Sequence, residues 1–90
     1  MLFQWDPNKN KNKINIKNHR IDFRDARDIF FDFHIIIPSK QERGEKRELA
    51  IGLLAGREIT VVYTWRGDEI RLISARRARK DEREIFWSKV

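Results

Sequence analysis

The chain is expected to fold as an α+β domain: an antiparallel sheet of about four strands, with two helices before it and one after. Three observations carry that expectation. Apolar and polar side chains alternate through residues 59–66 and again through 69–76, on either side of Gly67-Asp68. A period of two marks a strand, and glycine supplies the positive φ that a type II′ hairpin turn needs. Phe23, Ala26, Ile29 and Phe30 recur at helical spacing and form an apolar stripe. The last stretch, 78–87, is rich in paired charges with apolar anchors at Ile85 and Phe86 or Trp87, the pattern of a surface helix.

The elements follow in order. Residues 2–5 read as a short first strand, with Phe3 and Trp5 on one face. Asp6-Pro7 then opens a helix over 7–18, because Asp accepts from orphan backbone amides and Pro fits the first helical position. This helix carries Lys9, Lys11, Lys13 and Lys17 among many Asn, with Ile14 and Ile16 as its apolar content. Asn is a weak helix former, so the helix is expected to be solvated and frayed. A second helix covers 22–31. Residues 33–37 are an apolar, partly β-branched run ending at Pro38, which reads as a strand. Residues 39–45 make a polar loop containing Gly44. Residues 47–54 place Leu49, Ile51 and Leu53 on one face, and Ala55-Gly56 turns the chain into the final hairpin.

Closing that hairpin at Gly67-Asp68 sets Arg66 opposite Glu69, Trp65 opposite Ile70, Thr64 opposite Arg71 and Tyr63 opposite Leu72. Residues opposite one another share a face. Val61, Tyr63, Trp65, Ile70 and Leu72 are then core, while Thr64, Arg66 and Arg71 occupy the wetter face. Ser74 and Arg76 continue the core face toward the sheet's end, unless a bulge reverses them.

With 90 residues the chain is expected to be one domain spanning 1–90. Charged residues make up 38% of it and the formal net charge is +6. A basic domain of this size suits a polyanionic partner such as RNA, DNA or an acidic protein, and is equally compatible with a merely soluble basic surface. There is no cysteine, which removes disulfides and thiolate metal sites. The opening residues lack the apolar core of a signal peptide, and no apolar run approaches the ~20 residues of a membrane span. A cytoplasmic location is the expectation. No P-loop, GxSxG or zinc-ligand spacing is present. Asp22, Asp25, Asp28 and Asp32 interleave with Arg24 and Arg27, so they read as a solvated helix face rather than a metal site. Neither a metal nor a cofactor is expected.

The functional signal is the basic run at the last strand's end. Arg66, Arg71 and Arg76 project from the hairpin, and Arg77, Arg79, Lys80 and Arg83 surround the junction with the last helix. A guanidinium presents a fixed donor fork that matches two phosphate oxygens. Cations at a helix start oppose its dipole, so helix stability is not their reason. The competing reading is a set of local salt bridges on an ionic helix.

The stretches "FQWD", "NIKNH", "AIG", "VVYTWRG" and above all "IRLISARRA" followed by "ER" resemble the BrnT toxins, the ribonuclease halves of bacterial type II toxin–antitoxin pairs. The resemblance covers almost the whole chain. It implies a RelE-like fold, RNA cleavage without a metal, inhibition of translation and neutralisation by a BrnA-type antitoxin. It further implies that the antitoxin is DNA-binding, so that the complex represses its own operon. The family's motif carries over at Trp5, Asp6, Asn15, His19, Arg66, Arg71, Ser74, Ala75, Arg76, Glu82 and Arg83. The chain departs from it with Asn18 for a usual Lys, Arg20 for a usual Gly, Arg79 for a usual Thr, and two extra residues in the Asn/Lys run.

Cleaving RNA through its own 2′-OH needs a base for that proton, cations at the phosphate and an acid for the leaving oxygen. His19 is the candidate titrating group, since imidazole titrates near neutrality; the alternative is a histidine capping its helix end. Arg66, Arg71 and Arg76 are the candidate phosphate clamp, with Glu82 or Ser74 orienting a partner. Arg77, Arg79, Lys80 and Arg83 are candidate substrate contacts. His34, within an apolar run, reads as a core or edge residue, and Tyr63 and Trp65 read as core rather than base-stacking groups. The rival functions are a non-catalytic basic nucleic-acid-binding module, an inactive toxin remnant, or a protein-binding adaptor.

Overall fold

The computed structural model describes residues 1–39 and 44–90; of the predicted polar loop, residues 40–43 lie outside the described residues. The elements are β1 (Leu2–Gln4), α1 (Lys11–His19), α2 (Phe23–Ala26), a 3-10 turn (Arg27–Phe31), β2 (His34–Pro38), β3 (Glu48–Leu54), β4 (Arg57–Arg66), β5 (Glu69–Arg77) and α3 (Lys80–Lys89). The α+β class holds. The sheet, however, has five strands in the order β1-β5-β4-β3-β2 and is mixed, not a four-stranded antiparallel one. β1 adds to the edge of β5 in parallel, with Phe3 opposite Ile70. A three-residue strand carries no pattern that reveals its partner or direction, and only closure of the chain supplies them.

Both early helices differ from expectation. α1 starts at Lys11, because residues 7–10 form a turn. The Asp6 side chain accepts the Asn8 backbone N–H at 3.0 Å, and Asn10 takes a left-handed φ of 49°. Asp and Asn offer the backbone such local bonds and tolerate that conformation, so they delay the helix. The helix expected over 22–31 is a single α turn that tightens into the 3-10 turn. Its start is well capped, since the Asp22 carboxylate accepts the Arg24 N–H at 2.8 Å. The same carboxylate pairs with the Arg24 guanidinium, which holds it well below the usual carboxylate range.

Each face of the sheet has its own apolar layer. On one, Phe23, Ala26, Ile29 and Phe30 cover Val61, Tyr63, Ile70, Leu72 and Ala75. On the other, Ala78 and Phe86 close over Ile51, with Ile35 and Ile37 alongside. Gly52 lets the 3-10 turn approach β3, since a Cβ there would lie 2.9 Å from the Ile29 Cβ. No helix among the described residues is long and apolar enough to cross a membrane.

The β4–β5 hairpin keeps the predicted register from Arg66–Glu69 to Tyr63–Leu72, with Gly67 at a φ of 61°. Beyond that the ladder shifts between Val62 and Tyr63, so that Val62 faces Ser74, Val61 faces Ala75 and Thr60 faces Arg76. Ile73 is the extra residue. This bulge reverses the second half of β5: Ala75 enters the core, and Ser74 and Arg76 move to the face under α3.

Candidate nucleic-acid interface

Past β1, the outer edge of β5 would expose unpaired backbone groups. Asn15 of α1 fills that place. Its side-chain amide donates to the Ala75 carbonyl at 2.9 Å and accepts the Ala75 N–H at 3.0 Å, as a neighbouring strand would. It also donates to the Ile21 carbonyl at 2.8 Å. A polar side chain that satisfies three buried backbone groups is held firmly, and it fixes α1 beside the hairpin. The Asn/Lys run is thus anchored at Asn15 rather than wholly solvated, and the sequence signals this residue through its carry-over in the family motif.

With α1 so placed, the turn before it faces the hairpin. Asp6, Lys9, Lys11, Glu45, Arg47, Arg66, Arg71, Leu72 and Ile73 line a cleft of about 270 Å³. Five cationic side chains thus meet two carboxylates, and such a concave basic surface concentrates anions. Arg71 is a partly buried cation within it, with its side chain 21% exposed. Among the described residues it meets the Asp6 carboxylate at 3.5 Å, a long contact that leaves most of its five donors available. Arg66 is exposed at the rim.

Arg76 is placed differently, although it also lies on β5. Its two terminal nitrogens donate to the two oxygens of Glu82 at 2.8 and 2.9 Å. Thr60 Oγ1 donates to the same carboxylate at 2.9 Å, and so does the Arg79 backbone N–H at 2.8 Å. Burial alone would raise the Glu82 pKa, but these donors outweigh it and hold the carboxyl at about 2. Glu82 therefore caps α3 and anchors it to the sheet through Arg76.

The remaining predicted residues are spread over other surfaces. His19 ends α1, about 12 Å of helix from Lys11 at 1.5 Å per residue, and does not line the cleft. Ser74 sits half-buried opposite Val62. Arg77, Arg79 and Lys80 are exposed around the start of α3. Arg83 donates to the Ala78 carbonyl at 2.6 Å. His34 lies on edge strand β2, with Nδ1 2.9 Å from the Asp32 carbonyl and its ring against Phe30. Of the three arginines expected to converge, the structure brings Arg66 and Arg71 together and holds Arg76 apart. In their place it adds Asp6, Lys9 and Lys11, which no strand pattern could assign to the hairpin.

A family model described as the ribonuclease toxin, BrnT, of type II toxin–antitoxin systems matches residues 5–82. The chain belongs to the BrnT family. That makes it a member of a ribonuclease toxin family whose systems pair each toxin with a protein antitoxin. The match takes in Asp6, Asn15, Arg66, Arg71, Arg76 and Glu82, and stops before Arg83 and most of α3. No curated protein matches the chain.

Proposed function

We propose that this BrnT-family chain is a RelE-like endoribonuclease toxin that cuts RNA without a metal, and that the cleft between the α1 turn and the hairpin is where it does so. Membership of a ribonuclease toxin family supports the activity. The observation that carries the location is the accessible Arg71 guanidinium among Arg66, Lys9 and Lys11. Arg71 and Arg66 hold the scissile phosphate and offset the charge that builds on it. Asp6, the carboxylate beside Arg71, takes the 2′-OH proton in place of His19. The 2′ oxygen attacks phosphorus, the bond to the 5′ oxygen breaks, and a 2′,3′-cyclic phosphate remains at the 3′ end of the upstream fragment. The departing oxygen takes its proton from Lys9 or Lys11. Cutting RNA in this way stops translation, and the chain works in the cytoplasm as a single domain until a DNA-binding BrnA-type antitoxin neutralises it and represses the operon with it.

Purified chain incubated with RNA in excess EDTA is expected to yield fragments ending in cyclic phosphate. Asp6→Asn is expected to lower the cleavage rate by about 10²–10⁴-fold while RNA affinity stays within a few-fold, as loss of a general base does. Intact RNA from the parent protein under these conditions overturns the proposal. One observation favours a second reading, a non-catalytic RNA-binding module: Arg76 is occupied by Glu82 and His19 is remote from the cleft. On that reading the chain retards RNA on a gel and leaves it whole.

A further inference from the structure

Trp65 was expected in the core, and it is 51% exposed. Its neighbour on the same face, Tyr63, is fully buried and donates its hydroxyl to Glu48 at 3.1 Å. The difference arises from length. β3 begins at Glu48, opposite Tyr63, so beyond that point β4 keeps β5 on one side and has no β3 residue paired to it on the other, where among the described residues Gly44, Glu45 and Lys46 border it. Thr64 Oγ1 donates to the Lys46 carbonyl at 2.7 Å and ties that border down. Trp65 is left standing over an open groove of about 590 Å³, lined by Gly44, Glu45, Lys46, Glu48 and Thr64. Its ring meets Tyr63 edge to face at 6.5 Å, which steadies it while leaving it accessible.

This groove and the basic cleft are two sides of one hairpin tip. Arg66 follows Trp65 in the strand and projects to the opposite face, and Glu45 lines both hollows. Their chemistry differs. The cleft gathers cations suited to phosphate. The groove sets Glu45 and Glu48 beside an aromatic plane, and carboxylates repel phosphate while accepting the N–H donors of a base edge. An exposed indole is a stacking surface for any base, and it costs little to order because only two torsions need fixing.

We propose that Trp65 stacks a nucleobase of the RNA whose phosphate lies in the Arg66–Arg71 cleft, so that the strand wraps the hairpin tip with backbone on one face and a base on the other. This rests on the RNA-cleaving reading above. The probe is a single-stranded 2′-O-methyl oligoadenylate, which cannot be cut through its 2′ position. Trp65→Ala and Trp65→Leu are each expected to weaken its binding by about tenfold, and Trp65→Phe to restore most of it, since stacking needs an aromatic plane. Binding is also expected to quench indole fluorescence in the parent chain and to quench it less in Trp65→Phe. Arg71→Ala, measured beside them, is the control on the underlying reading. Unchanged affinity in Trp65→Ala with weakened affinity in Arg71→Ala overturns the stacking alone. Unchanged affinity in both overturns the RNA-cleaving reading as well. Loss of antitoxin binding in Trp65→Ala with RNA binding intact assigns the ring to a protein partner and also overturns the stacking proposal.

Discussion

Arg71 and Arg76 stand five residues apart on one strand and, because of the bulge, on the same face of the sheet. One meets a carboxylate at 3.5 Å in an open cleft; the other is bidentate to Glu82 under the start of α3. A guanidinium with unused donors can receive a phosphate. A guanidinium whose fork is already matched holds structure together. Charge and spacing are alike in the two places, so the neighbours decide the role.

The largest effect is expected from breaking the matched pair. Glu82→Ala leaves the Arg76 guanidinium, whose side chain is 16% exposed, without its counter-charge and removes the cap of α3. A loss of about 3–5 kcal/mol in unfolding free energy is expected, read from urea denaturation. Replacing both partners, Arg76→Met with Glu82→Leu, is expected to recover much of that loss. If Glu82→Ala unfolds at the parent's urea midpoint, the contrast between the two arginines is lost.

The open arginine is expected to show the reverse profile. Arg71→Ala should lower RNA cleavage by about 10²–10³-fold, the scale of losing a donor to developing charge. Its urea midpoint should change by less than the equivalent of about 0.5 kcal/mol, as for surface changes without a matched partner. An Arg71→Ala protein that cleaves normally would place the chemistry elsewhere.

Acid offers a gentler probe of the same pair. The Glu82 carboxyl is held at about 2 in the folded chain against an ordinary 4.5, so between those values the unfolded chain binds the proton first. The stability it contributes is complete above pH 4.5 and drains away as pH falls toward 2. Roughly 3 kcal/mol is at stake in this window. Urea midpoints of the parent should therefore fall more steeply across it than those of the Arg76→Met/Glu82→Leu protein. Equal slopes would mean that other carboxylates govern acid unfolding.

Much of the fold was legible in the residues themselves. Gly67-Asp68 with alternation on both sides specified the hairpin register from Arg66–Glu69 to Tyr63–Leu72. The Phe23, Ala26, Ile29, Phe30 stripe specified a buried helical face, although it divides into an α turn and a 3-10 turn. Such features depend on residues near one another in the chain, where turn chemistry and side-chain period act directly.

What lay beyond the sequence were contacts between distant residues. The parallel docking of β1, the amide of Asn15 paired to Ala75, and the meeting of Asp6 and Lys9 with Arg71 each join segments some sixty residues apart. The bulge at Ile73 reversed Ser74 and Arg76, and the short reach of β3 exposed Trp65. The sequence alone determined the hairpin, the basic character and the candidate cations. Only the tertiary structure decided which of those cations is matched and which is open, because a charge's function depends on the groups that surround it, and chain folding chooses those groups.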